Sequence, residues 1–119
     1  MVKKIWYLGT CSTCTRIIKQ LGDTSDFEMI EIKSSGVSRN DLDELVQLTG
    51  GTYADFFSKR AMKYRAMGLH EREVGADEMG DLITSEYTFL KRPVIQIGDQ
   101  VFIGNAKKVV EAAVSANGN

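Results

Sequence analysis

Ile5-Trp6-Tyr7-Leu8-Gly9-Thr10-Cys11-Ser12-Thr13-Cys14 joins an apolar run, a flexible turn and the chain's two thiols in one short stretch. Ile5 to Leu8 is rich in strand formers, and Gly9 permits a sharp turn. Cys14, Ile17, Ile18 and Leu21 then recur at helical spacing until Gly22. The segment therefore reads as a strand-to-helix junction with Cys11 at the helix start. A helix N-terminus offers unsatisfied N–H groups and the positive end of the dipole, and both favour a thiolate, the nucleophilic form of cysteine. Cys14, one turn further along, is within reach of a mixed disulfide on Cys11 and could release whatever is bound there. The pair is a redox-site candidate, with an inert buried pair as the plainer alternative.

Outward from that junction the chain keeps a regular order. Phe27 to Ile32 reads as a second strand, so the N-terminal part is strand, helix, strand, which implies a parallel pair. Val37-Ser38-Arg39-Asn40-Asp41-Leu42 carries a capping box with Ser38 as N-cap and Asp41 at N3, followed by a stripe of Leu42, Leu45 and Val46. Beyond Gly50-Gly51, Thr52 and Asp55 repeat the capping pattern. Phe56, Phe57, Ala61 and Tyr64 continue as one helical face to Gly68, and Met79, Leu82 and Ile83 mark a weaker helix. Val94 to Ile97 and Gln100 to Ile103, joined by Gly98-Asp99, predict a hairpin with a two-residue turn. A last helix from about Asn105 buries Val109, Val110 and Val114.

The order βαβ, helices, ββα predicts an α/β protein, and a cysteine pair at the first strand-to-helix turn is a thioredoxin-like arrangement. One domain over 1–119 is expected, with a helical insertion at roughly 38–90 between the two halves. Composition is that of a soluble globular protein, 43% apolar and 26% charged. The net charge of −1 gives no general attraction to nucleic acid or acidic membranes, and Lys59, Arg60, Lys63 and Arg65 read as a solvated helix face. Met1-Val2-Lys3-Lys4 precedes too short an apolar run for a signal peptide or a membrane span, so a cytoplasmic location is expected. In a reducing compartment two cysteines at this spacing are catalytic or metal-binding. Structural zinc wants four ligands, and beyond Cys11 and Cys14 only the distant His70 is at hand, which disfavours a zinc module.

Three segments, taken in order, resemble the glutaredoxin-coupled arsenate reductase family, including its Spx-type regulatory branch. They are Cys11-Ser12-Thr13-Cys14, Ser58-Lys59-Arg60 ahead of Tyr64-Arg65-Ala66-Met67-Gly68-Leu69, and Leu90-Lys91-Arg92-Pro93-Val94-Ile95. The resemblance spans nearly the whole chain. It implies a thioredoxin-like fold with an inserted helical segment, Cys11 as nucleophile with Arg92 beside it, and Arg60 as a second anion contact. Ser12, Thr13 and Pro93 join Arg60 as candidate substrate contacts. It also implies a cis Arg92-Pro93 bond, where the residues alone would be read as trans. Guanidinium groups suit these roles because their planar fork matches an oxyanion.

Two departures from the family pattern stand out. Arsenate reductases of this family typically place an arginine after the final strand in an Ile-Gly-Arg pattern, whereas this chain reads Ile103-Gly104-Asn105-Ala106, and Asn105 suits a helix N-cap instead. Cys14 is the second departure, since the arsenate enzymes commonly work with one active-site cysteine. The Cys pair resembles the Spx branch, where it acts as a disulfide switch.

The expected function is a cytoplasmic thiol-disulfide oxidoreductase resembling arsenate reductase, with Cys11 as nucleophile and Cys14 resolving. No cofactor is expected to be bound. Glutathione, glutaredoxin or thioredoxin would be the electron donor, and a small oxyanion or a glutathione mixed disulfide the substrate. The alternative is a redox-sensing regulator that binds RNA polymerase, with Gly50-Gly51-Thr52 roughly where such regulators touch their partner. Neither reading involves direct nucleic-acid or membrane binding.

Overall fold

The computed structural model describes residues 1–118, which divide into two compact units, 1–35 with 92–118 and 36–91. The first unit contains the sheet. Strands β1 (Lys3–Tyr7), β2 (Glu28–Glu31), β3 (Val94–Ile97) and β4 (Gln100–Ile103) lie in the order β2-β1-β3-β4. β1 pairs parallel with β2 and antiparallel with β3, and β3 pairs antiparallel with β4. Helix α1 (Ser12–Leu21) makes the crossover between β1 and β2, and α2 (Ile32–Ser35) is a single turn after β2. This is the thioredoxin-like α/β arrangement expected from the order of elements.

Strand alternation decides what the sheet buries. Ile5 faces Ile95 across the β1–β3 ladder, and Ile95 faces Phe102 across β3–β4. These residues share one sheet face with Ile97, and α1 covers it with Ile17 and Leu21. The closing helix, α6 in chain order (Lys107–Ala116), adds Val110 and Ala113. Fully burying side chains of this kind contributes about 1.5–3 kcal/mol each, so this cluster holds α1, and with it the cysteine turn, against the sheet. The hairpin turns at Gly98, whose φ of +61° is open to glycine and costly for other residues.

The second unit is helical: α3 (Arg39–Thr49), α4 (Met62–Ala66) and α5 (Ala76–Ser85), with 3-10 turns at Tyr53–Phe56 and Leu69–Glu71 between them and a third at Tyr87–Phe89 after α5. Ser38 caps α3 by accepting the Asp41 N–H, as its spacing predicts, and Thr52 with Asp55 forms a reciprocal capping box. That second box starts a 3-10 turn and not the continuous helix expected over 52–68. Phe57 turns extended and bridges to Leu90, with Lys91 N–H donating to Phe56 C=O and Ser58 N–H to Phe89 C=O. The adjacent Phe56 and Phe57 are both buried in this way, and the Phe57 ring stacks on Phe89 at 5.2 Å. Helix resumes only at Met62.

Two further boundaries differ from expectation. β2 ends at Glu31, and Ile32 starts α2, because Glu31 accepts the Ser34 N–H and so satisfies a free donor of that turn. α6 begins at Lys107 with Ala106 as N-cap, leaving Asn105 in the bend before it. Gly104 N–H donates to Pro93 C=O, which holds this bend against the start of β3. Among the described residues no helix is long and apolar enough to cross a membrane.

Candidate functional site

The chain leaves β1 at Leu8 and turns through Gly9 and Thr10. Cys11 N–H closes the turn on Leu8 C=O at 3.1 Å. Cys11 is the N-cap of α1, with extended backbone, and its C=O accepts the first helical bond from Thr15 N–H. Its side chain makes no closed capping hydrogen bond, and the first turn of α1 holds no acidic residue to offset the dipole. A sulfur therefore occupies the place where a capping oxygen would normally sit.

The two thiols differ in environment. Cys11 is partly exposed and Cys14 fully buried, and both are free cysteines. Burial alone would push the Cys11 thiol up. The Cys14 N–H, the Cys14 thiol, the Thr13 N–H and the charge of Arg92 together outweigh it and hold Cys11 below the usual thiol range. For Cys14, burial pushes the thiol up to about 11. The neighbouring Cys11 sulfur adds to this, by its charge and by accepting the Cys14 S–H, against the opposing Leu8 N–H and Arg92. One helical turn thus separates a thiol that ionises readily from one that stays protonated.

Arg92, one residue short of β3 with Pro93 between, is partly buried and acts on both sulfurs. The Arg92-Pro93 bond is cis, as the resemblance implies and against the reading of the residues alone. Ser12 and Thr13 follow Cys11 in the first turn of α1, Ser12 exposed and Thr13 partly so. An open hollow of about 540 Å³ runs along the outer side of α1, lined by Ser12, Thr15, Arg16, Lys19 and Gln20. The first unit accordingly holds Cys11, Ser12, Thr13, Cys14, Arg92 and Pro93. Arg60 belongs to the second unit, exposed in the turn before α4, and Lys59, Lys63 and Arg65 are exposed as well. Lys63 pairs with Glu86 at 2.5 Å, and His70 lies against Tyr64 and Glu71. Among the described residues no group of three or more His, Cys, Asp or Glu side chains could hold a metal ion.

One contact of the cysteine turn was not singled out from sequence. Glu31 accepts the Gly9 N–H on Oε2 and the Ser34 N–H on Oε1, both at 2.8 Å. The Gly9 N–H, followed by the two N–H groups at the start of α2, holds this carboxyl below its usual range. Sequence carries little signal for it, since Glu31 is one of two acids in the strand Glu28-Met29-Ile30-Glu31.

Comparison with known proteins matches residues 7–113 to the ArsC family. YusI of Bacillus subtilis (strain 168) is 30% identical over 102 residues, covering 83% of this chain and 86% of that protein. The global transcriptional regulator Spx of Streptococcus pyogenes serotype M1 is 24% identical over 107 residues, covering 89% of this chain and 80% of Spx. Among solved structures, the arsenate reductase from Vibrio cholerae superposes with a TM-score of 0.77 at 15% identity, covering 98% of each chain. With a family match running from β1 to α6 and a relative at this identity over most of both chains, the protein belongs to the ArsC family.

Proposed function

We propose that the protein is a thiol-disulfide oxidoreductase of the arsenate-reductase type that acts in the reducing cytoplasm and prefers glutathione mixed disulfides to arsenate. The observation that carries this reading is the asymmetry of the thiols: a partly exposed Cys11 held below its usual range beside Arg92, and a buried Cys14 raised to about 11. Cys11 thiolate attacks the substrate's disulfide sulfur and expels one thiolate, leaving the other half joined to Cys11. Bonding the Cys11 sulfur removes its charge and its acceptor role, two of the causes that hold Cys14 protonated. Cys14 then loses its proton more easily, attacks the Cys11 sulfur and displaces the second thiol, forming the Cys11–Cys14 disulfide. Two electrons from glutathione, glutaredoxin or thioredoxin restore both thiols.

Arg92 stabilises the thiolate in this scheme. Ser12, Thr13 and Pro93 frame the substrate at Cys11. Asn105, neutral where arsenate reductases of the family carry an arginine, weakens the case for a multiply charged oxyanion. The test is reduction of arsenate and of glutathione mixed disulfides by the purified protein, with the glutathione and thioredoxin systems supplied separately. Turnover of mixed disulfides above that of arsenate is expected, and activity on neither substrate overturns the proposal.

The similarity to Spx supports a second reading, in which the cysteine pair is a redox switch on a surface that binds RNA polymerase. Retention of polymerase by one redox form of the immobilised protein, with no turnover in the assays above, would favour it.

A further inference from the structure

We propose that Glu31 is a positioning residue for Cys11, a clamp at the end of β2 that fixes the Leu8–Cys11 turn and thereby aims the Cys11 sulfur at the N–H groups of α1. The inference rests on the functional reading above. Gly9 and Thr10 are exposed, so little side-chain packing restrains the turn. Two hydrogen bonds do: Cys11 N–H to Leu8 C=O within the turn, and Gly9 N–H to Glu31 Oε2 from outside it. The carboxylate is itself held. Glu31 faces Tyr7 in the parallel ladder, and its other oxygen accepts Ser34 N–H at 2.8 Å. One side chain thus ties the exit of β1, the end of β2 and the start of α2 together. An ionised carboxylate suits this double duty, because each oxygen accepts a charge-assisted bond from a backbone donor.

A competing effect has the opposite sign and must be separated. Glu31 also carries negative charge, and a nearby carboxylate disfavours a thiolate. If charge dominated, neutralising Glu31 would make Cys11 more acidic. If the clamp dominates, releasing the turn blurs the aim of the sulfur at the Cys14 and Thr13 N–H groups and makes Cys11 less acidic. The direction of the change decides between them.

The experiment measures iodoacetamide alkylation of Cys11 against pH in the Cys14→Ser protein, alone and combined with Glu31→Ala, Glu31→Gln or Gly9→Ala. Circular dichroism verifies that each variant is folded at the assay temperature. Glu31→Ala is expected to raise the midpoint by about half to one unit and so to lower the rate at pH 7 about three- to tenfold. Glu31→Gln, which keeps one acceptor oxygen, should move it in the same direction by less. Gly9→Ala keeps the N–H, and its added Cβ would meet Glu31 Oε2 at an ordinary 3.5 Å, so it should leave the profile in place. A carboxylate that merely stabilised the fold would change the melting temperature without moving the midpoint. An unmoved midpoint in folded Glu31→Ala, or a lowered one in Glu31→Ala and Glu31→Gln, overturns the clamp alone. An ordinary midpoint in the Cys14→Ser reference overturns the functional reading first, and the clamp with it.

Discussion

Cys11 and Cys14 share a helix and a neighbouring guanidinium, yet their environments give the two thiols different proton chemistry. In single-cysteine variants, Cys11 should alkylate with a midpoint below the usual thiol value of about 8.5, while Cys14 stays nearly inert until the solution is strongly alkaline. Equal profiles would dissolve the division of roles. The same shift has a stability consequence. A thiol whose folded value is raised favours the folded state below its unfolded value, and that contribution fades as pH rises through the folded value. The chain should therefore lose stability between about pH 8.5 and about pH 11, and Cys14→Ala should lose less over that window in denaturant titrations. Arg92→Lys keeps the charge and loses the fork, so it should cost about 1–3 kcal/mol in transition-state terms, read from kcat/KM. Arg60→Lys should cost less. Asn105→Arg should raise arsenate turnover more than mixed-disulfide turnover, since only the oxyanion gains from another cation. The cysteine pair was legible because local spacing places it at a strand-to-helix junction, whereas Arg92 entered through the resemblance carried by Leu90-Lys91-Arg92-Pro93-Val94-Ile95. Glu31 was not, because its importance comes from a register with β1 that no local pattern encodes.

Among the elements, α5 offers the sharpest test of packing. Gly80 is buried, and a Cβ there would stand 2.9 Å from Cγ and Cδ2 of the Tyr53 ring. That ring cannot yield easily. Arg39 lies over it at 4.7 Å and donates to its hydroxyl, while the hydroxyl donates to Asp43. Replacing glycine by alanine in a helix favours folding by about 0.5–1 kcal/mol, whereas overpacking a fixed neighbour costs about 1–3 kcal/mol. Overpacking wins, so Gly80→Ala should lower the unfolding free energy, and Gly80→Ala with Tyr53→Leu should recover part of the loss. A stabilised single variant would refute this. The Ser38 cap and the hairpin were readable in advance, because caps and turns are local chemistry. The supposed long helix over 52–68 was not: its apolar spacing is helical, but the Phe57–Leu90 bridge joins residues far apart in sequence.

At the scale of the whole molecule, mild oxidation should join Cys11 to Cys14 reversibly within one chain, since no other cysteine is present. Mass spectrometry before and after peroxide and dithiothreitol checks this, and purely intermolecular dimers would count against it. The order of strands and helices was legible because each period is local. The division into two compact units rests on long-range contact, and the first unit is built from both ends of the chain around 36–91. That interruption bears on how the protein is made. β1 and the cysteine turn leave the ribosome early, but β3, the central partner of β1, and Arg92 follow only about eighty residues later, a delay of about 4–16 s at ordinary translation speeds. During that interval the nascent chain carries Cys11 without its neighbouring cation or the finished sheet behind it. The surroundings of Cys11 are thus assembled only once Arg92 and β3 have joined the first unit.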